Sequence, residues 1–593
     1  MKPLNNFTDK PPNILIYTGS NEDTTKSYMN TYSILSQCLS RDRYVVYHLK
    51  RNQINTTPWI ENTMVLILAV NKIPKNDDEN VFLRYFLGGG CVISLACNFD
   101  EFFVRRVKSL AEMSGTNYIV RLKYGKWNDV SVVSGCNVGY DDVAPSILDE
   151  VSCTPLAQDS QSNNQLIVLA RHHLSSGVAL LSQVNFEKDA SDLTTSSEEF
   201  IQLKQSNLER IEIFKNILSN DLGLNCEQTE PPALSPVLLL APNEEGNVYA
   251  ANKLFSYHFT TSQDYSSSAT TSTTNTNNSS NDNNINNITT TFTATNNTNN
   301  IYFITDSSNV QNKFNLDVYK KHLRSEVLGN VVLYADVVSS TMDTLDHYLI
   351  HMPSHLGLVT IASMQTSGQG RGGNVWLSPE GCALCSLHIR LPLNSPLGQH
   401  VSCLQHLVAL AIVLSVREKK GYEDIDLRIK WPNDIYFAEK LKLGGILIRS
   451  TIMQDLIHIN LGCGINICNK YPTTCINDLI EQHNKLRAGQ SEPLPTFTVE
   501  EFLGRLISQI DRLIQTYQSD EGAEFFELYY NYWLHNDQEV TLNSIDGPRG
   551  LINGITKFGY LSVRLEDGTI VEVHPDGNSF DMMKNLLAPK IKR

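Results

Sequence analysis

The sequence predicts a multidomain α/β and α+β chain that closes in a small β barrel, and three observations carry that prediction. Its 593 residues exceed what a single hydrophobic core serves, at roughly 100 to 200 residues per domain. Strand-like apolar runs alternate with helical patterns on both sides of a long Ser/Thr/Asn tract. Beyond residue 531 the pattern breaks instead into short strands separated by turn residues.

Each element follows from its residues. The runs at 13–19 (NILIYTG), 44–50 (YVVYHLK), 64–70 (MVLILAV) and 91–97 (CVISLAC) are continuously apolar, the character of strands covered on both faces, so residues 1–262 read as a doubly wound α/β domain. A helix is expected over 198–218, where Phe200, Leu203, Leu208, Ile211, Phe214 and Leu218 recur at near-helical spacing. Residues 266–300 hold too little apolar surface to offset the entropy of ordering them, so 263–316 reads as a disordered insertion and linker. Strands follow at 331–337, 358–364, 383–391, 442–450 and 456–467, with an apolar helix at 400–418. An amphipathic helix sharing Phe502, Leu506, Ile510, Leu513 and Tyr517 on one face then closes an α+β domain over 317–530. In 531–593 the pair Asp567-Gly568 between alternating runs is a two-residue hairpin signal, and short strands in so little chain suggest a barrel.

Composition excludes several function classes. An apolar fraction of 41% and a charged fraction of 19% are ordinary for a globular protein, and the longest apolar run, 407–416, is too short to cross a bilayer, so no membrane partner is expected. A net charge of −15 argues against nucleic acid as a partner held by the bulk field. The N-terminal MKPLNNFTDKPPNILIYTGS has neither a secretory nor a transit pattern, and a cytoplasmic protein is expected. Twelve cysteines match no disulfide framework, and the lone CxxC of Cys382 and Cys385, inside an alternating strand, reads as packed thiols. No metal-ligand set can be assigned from the sequence.

The chemistry is concentrated in GQGRGGNVWLSPEG (368–381), KWPND (430–434) and KLGG (442–445). Gly368-Gln369-Gly370-Arg371-Gly372-Gly373 satisfies GxGxxG formally, yet an extended run ending in Pro379 follows where a dinucleotide fold needs a helix, so that reading fails on context. What remains is a glycine-rich loop that carries Arg371 and Trp376 and can fold over a ligand. With Lys430 and Lys442 it forms a site for a phosphorylated, carboxylate-bearing small molecule, in which cations neutralise developing charge.

Ser340-Thr341, Gln365 with the glycine loop, KWPNDI, KLGGILI and GCGINI stand in the order and spacing of biotin protein ligases. The chain resembles the eukaryotic holocarboxylase synthetase type over 331–593 and, more loosely, over 11–20. The resemblance implies a biotin/lipoate ligase-type catalytic domain at 317–530 and an SH3-like β barrel at 531–593. It also implies a two-step reaction: biotin and MgATP give biotinyl-5′-AMP, and a lysine of an apo-carboxylase carrier domain then takes the biotinyl group. Adenylation converts a poor electrophile into a reactive one, and bringing two anions together demands cations.

By the same resemblance Lys442 and Arg371 are catalytic. Ser340, Thr341, Gln365, Gly368 and Gly370, with Arg371 and Lys442, bind biotin; Arg371, Trp376, Lys430, Asn433, Asp434 and Asn466 serve ATP and the adenylate. Asp434 is open between positioning the metal, positioning the incoming amine and bracing the loop. Two alternatives stand beside this reading. A lipoate or octanoyl-type acyltransferase calls for an Arg-Arg…Gly-Gly-Gly signature ending in His-Asp, where this chain has Asn374-Val375-Trp376. A non-catalytic biotin sensor would not need all of Arg371, Lys430 and Lys442.

The chain departs from the bacterial pattern at Gln369, which stands where those members carry the first arginine of GRGR, and it lacks their N-terminal helix-turn-helix. The first domain resembles class I glutamine-amidotransferase domains, with Gly88-Gly89-Gly90 leading into a strand that ends at Cys97. The glycines that flank a nucleophilic cysteine are missing there, so a non-catalytic scaffold or gate is expected.

Overall fold

Branched apolar runs near the N-terminus form strands β1 (Asn13–Tyr17), β2 (Val45–Leu49), β3 (Thr63–Leu68) and β4 (Cys91–Leu95). They pair in parallel, β2-β1-β3-β4, as continuous hydrophobicity on both faces dictates. In the computed structural model the described residues are 12–19, 24–40, 43–54, 59–60, 63–73, 77–104, 118–135, 139–140, 148–188, 190, 197–227, 232–240, 292–296, 299–303, 313–346, 357–371, 374–489, 492–544, 547–575, 578–581 and 585–589. They fall in two units, Lys10–Glu230 and Pro231–Arg593.

In the first unit the sheet is mixed, which corrects a purely doubly wound expectation. Strands β5 (Tyr118–Tyr124), β6 (Trp127–Ser134), β7 (Val151–Asp159), β8 (Gln165–His172) and β9 (Val178–Ser182) complete a nine-stranded sheet in the order β2-β1-β3-β4-β9-β8-β7-β5-β6. β9 lies parallel to β4, and everything beyond it is antiparallel. The expected single helix is two, Ser197–Gln205 and Asn207–Asn216. They meet at Ser206, whose hydroxyl accepts from the Ser131 backbone N–H of β6 at 3.2 Å. Phe200 and Leu208 are exposed, whereas Leu203, Ile213 and Phe214 are buried.

The second unit carries an eight-stranded sheet, β10-β13-β14-β15-β19-β18-β17-β16. Its strands are β10 (Leu238–Leu240), β13 (Val331–Val338), β14 (Leu358–Gln365), β15 (Cys382–Pro392), β16 (Leu427–Lys430), β17 (Asp434–Phe437), β18 (Leu441–Met453) and β19 (Leu456–Asn466). β10, read from sequence as part of 1–262, edges this sheet by pairing antiparallel with β13. Of the Ser/Thr/Asn tract, 266–291 lies outside the described residues. Its end forms the antiparallel hairpin β11 (Phe292–Asn296) and β12 (Asn299–Phe303) where disorder was expected, in keeping with the β-prone Phe, Thr, Ile and Tyr placed there.

One face of the sheet, with Cys385, Leu387 and Ile389 of β15 and Ile459, Leu461 and Cys463 of β19, packs on the helix Leu404–Arg417. That helix is buried from Leu407 to Val416, as an element apolar all round must be. Over it lies Val499–Asp520, which buries Phe502, Leu506, Ile510, Leu513 and Tyr517 as their spacing requires. The opposite face is left to small and polar residues, Ser386, Gly462 and Gly464, and receives the short helix Thr341–Asp346.

The chain ends in a small six-stranded sheet of β20 (Glu539–Leu542), β21 (Arg549–Ile555), β22 (Leu561–Leu565), β23 (Ile570–Val573), β24 (Asn578–Asp581) and β25 (Leu586–Pro589). The Asp567-Gly568 turn joins β22 and β23 but is wider than a two-residue hairpin. Leu565 N–H bonds Thr569 O at 2.8 Å, and Gly568 takes a left-handed φ of 86°, the conformation a turn of this width asks of glycine. None of the described cysteines is paired, and Cys382 and Cys385 are buried. Among the described residues no helix is long and apolar enough to cross a membrane.

Candidate functional site

The polar face of the second unit's large sheet builds the site from two sides. On the first, β13 runs into the Ser340-Thr341 turn that opens the helix Thr341–Asp346, and β14 ends at Gln365. Gln365 Oε1 accepts from the Thr341 backbone N–H at 2.8 Å and its hydroxyl at 3.0 Å. Ser386 donates to that same hydroxyl at 2.8 Å, and Gln365 Nε2 donates to Ser378 Oγ at 2.9 Å. The side chains of this turn are therefore oriented before a ligand arrives. Ser340 is buried, and its carbonyl caps the helix through Thr344 N–H at 3.1 Å.

The glycine loop folds back as a narrow hairpin beside Gln365. Gly370 N–H bonds Asn374 O at 2.7 Å and Trp376 N–H bonds Gly368 O at 2.9 Å; Gly372 and Gly373 lie outside the described residues. A Cβ on Gly368 would sit 2.3 Å from Trp376 O, and one on Gly464 of β19 would sit 2.7 Å from Trp376 Nε1. Glycine at 368 lets the two arms of the loop close together, and glycine at 464 lets the indole lie close against the sheet. Trp376 Nε1 is buried there without a hydrogen-bond partner, a cost that a ligand acceptor can relieve.

The second side gathers cations. The bulge where β17 meets β18 sets Lys442 opposite Tyr436, and Lys442 Nζ lies 2.7 Å from Asp434 Oδ1 and 5.3 Å from the centroid of the Trp376 ring. Lys430, at the end of β16, is nearly buried with its ammonium 5.1 Å from the Tyr436 ring centroid. Between them Asn433 donates to Ile446 O at 2.6 Å and accepts from Arg371 at 3.3 Å. Arg371 also reaches the carbonyl of Pro575 in the C-terminal β domain.

That domain also braces the KWPN turn. Trp431, 1% exposed, donates its backbone N–H to His535 Nε2 at 3.1 Å and its indole N–H to Gly559 O at 3.1 Å. His535 Nδ1–H then donates to Gln538 at 2.8 Å. His406 Nε2–H donates to Gly559 O at 3.0 Å, while its Nδ1 faces the Tyr529 hydroxyl at 3.2 Å.

Burial pushes His535 and His406 down to about 4 and His388 down to about 3. All are therefore neutral in the fold and prefer to charge once unfolded. The stability of the neutral form is fully present above the ordinary histidine value near 6.5 and is lost as pH falls through it, at up to ~3 kcal/mol per group by pH 4. Thermal unfolding should accordingly show a melting temperature that falls from pH 7 to pH 5; a flat or rising profile would refute the neutral assignment.

The structure thus brings Thr341, Gln365, Gly368, Gly370, Arg371, Trp376, Asn433, Asp434 and Lys442 around one face, with Lys430 on the adjoining strand. Asn466 sits at the end of β19 opposite Cys382, its amide engaged by Thr473 at 2.9 Å and Thr474 at 3.1 Å, so it braces the turn at 473–475. Sequence reasoning missed Ser378, Ser386, Asp343, Asp346, Arg449 and His535. Ser378 stood inside the 368–381 motif without being singled out; the others carry no local motif, and only long-range pairing of elements brings them in. No set of three or more His, Cys, Asp or Glu side chains positioned to hold a metal occurs among the described residues.

Residues 334–466 match the profile of the Biotin/lipoate A/B protein ligase family, and 535–584 match that of the Biotin protein ligase C terminal domain. The chain is 35% identical to human biotin–protein ligase over 99% of its own length and 78% of the relative's. It is 35% identical to the Schizosaccharomyces pombe biotin–protein ligase over 47% of this chain and 46% of that one. A solved Aquifex aeolicus biotin protein ligase in complex with biotin and ATP is 23% identical, covers 41% of this chain and 94% of its own, and superposes with a TM-score of 0.33.

Proposed function

The chain belongs to the biotin–protein ligases, whose activity is ATP-dependent transfer of biotin to protein, and from that premise we propose how its own residues carry the two steps and which proteins receive the group. The observation that carries the reading is the convergence of Arg371 and Lys442 on a loop-covered face beside the preset Thr341–Gln365 turn, with Lys430 on the adjoining strand. In the first step a biotin carboxylate oxygen attacks the α-phosphorus of ATP and diphosphate leaves. In the second a lysine amine of the biotin carrier domain of an apo-carboxylase attacks the acyl carbon, losing a proton as AMP departs.

Lys442 holds the carboxylate and the α-phosphate together, and Arg371, steadied by Asn433 Oδ1, covers the adenylate. Ser340, Thr341 and Gln365 hold the ureido ring, with the Gln365 carbonyl already committed to Thr341 and its amide nitrogen turned toward Ser378. Trp376 offers its ring to adenine and Lys430 serves the phosphates. Asp434 acts as the brace that fixes Lys442, as their 2.7 Å pair supports. Magnesium enters with ATP as part of the substrate, leaning on phosphates and water.

For the first unit we propose an amidotransferase-like but non-catalytic domain. Cys97 is fully buried, and it is Ala96, with a left-handed φ of 48°, that occupies the sharp turn after β4. A nucleophile so enclosed cannot meet a substrate.

The decisive experiment is incubation of the purified chain with biotin, MgATP and an apo carrier domain, read by intact mass, with lipoate as control. One biotinyl increment on the carrier, absent with lipoate, is expected. Lipoylation would favour the acyltransferase alternative, and biotin binding without transfer would favour the sensor.

A further inference from the structure

We propose that Gln369 and Arg449 form a clamp that fixes the glycine loop to the biotin side of the site, with Gln369 acting as a positioning residue. Gln369 Nε2 donates to Asp343 Oδ2 at 2.8 Å, and its Oε1 accepts from Arg449. Arg449, projecting from β18, bridges Asp343 at 3.1 Å and Asp346 at 2.7 Å. Asn460 of β19 holds Asp346 at 2.6 Å and the Met342 carbonyl at 2.9 Å. One end of this network is thus the helix that begins at Thr341, and the other is the loop residue between Gly368 and Gly370.

The chemistry explains why an amide stands at 369. The side chain must donate to a carboxylate and accept from a guanidinium at the same time. Arginine has no acceptor to offer Arg449, and glutamate would face Asp343 with like charge; glutamine meets both demands. The departure from GRGR at this position is therefore matched by Arg449, which supplies from a neighbouring strand the cation that the loop lacks. Held in this way, the loop lies over the biotin-side turn before ATP arrives. Arg371, two residues on, is carried to Asn433, so biotin and the adenylate are retained by a loop anchored in advance at Gln369 and Arg371.

The inference rests on the ligase reading, and its test keeps the two apart. In the full chain, Gln369→Ala and Arg449→Ala should each raise the KM for biotin, and the rate at which preformed biotinyl-5′-AMP escapes on dilution, by about three- to tenfold, the range that one or two hydrogen bonds carry. The double variant should lie close to either single one because both break the same network. Arg449→Lys should recover part of the loss, and the KM for ATP should move less than that for biotin. A parent chain that transfers biotin, with variants that bind biotin and retain the adenylate like the parent, overturns the clamp alone. Equal rises in both KM values would overturn it too, as general damage to the fold. A parent that transfers no biotin overturns the ligase reading and the clamp with it.

Discussion

Lys442→Ala is expected to slow biotinyl-5′-AMP formation by about 10²- to 10³-fold, the usual consequence of deleting a preorganised charge at a reacting centre. A carboxylate and a phosphate brought to ~4 Å repel by about 4 kcal/mol at the effective dielectric of a protein surface, so an unneutralised encounter cannot proceed at a useful rate. In the proposed mechanism Lys442 supplies that neutralisation; Asp434 lies 2.7 Å from its ammonium and the centroid of the Trp376 ring 5.3 Å away. Lys442→Arg keeps the charge but spreads it over a larger planar group, so an intermediate rate is expected. Single-turnover adenylate formation, followed by chromatography of the quenched product, decides the matter. A Lys442→Ala rate within about tenfold of the parent would move the charge role to Arg371 or Lys430.

Much of this site could be read from the sequence because it is written in local chemistry. KWPND and KLGG place their cations by strand position alone, and the helix Val499–Asp520 buries the residues its 3.6-residue period selects. What escaped was non-local. Arg449 gave no signal because its partners Asp343 and Asp346 lie on another element and are brought near only by the β15-β19-β18 pairing. At the helix break, Ser206 is tied to Ser131, distant in sequence. In the antiparallel half of the first sheet, β5 and β7 were missed because they mix exposed and buried positions irregularly, with bulges at Leu122/Tyr124 and Pro155/Ala157. Such bulges blur the alternation that would mark a strand.

Trp431→Ala should cost the second unit about 3 to 5 kcal/mol, as truncation of a large aromatic in a packed core does. Trp431 is among the largest fully buried side chains of the protein, and it ties the KWPN turn to the C-terminal β domain through His535 and Gly559. Trp431→Phe separates volume from hydrogen bonding. It loses the indole donor, yet Gly559 O keeps its bond from His406, so no acceptor is orphaned and a cost of only ~1 kcal/mol is expected. Urea unfolding of the two variants measures both effects, and an alanine variant within about 1 kcal/mol of the parent would show that the turn is held from elsewhere. The functional effect follows from what the turn carries. Arg371 is steadied on one side by Asn433 of the turn and on the other by Pro575 of the β domain. Loosening Trp431 separates these two supports, so the KM for ATP should rise in the alanine variant and hold near the parent value in phenylalanine.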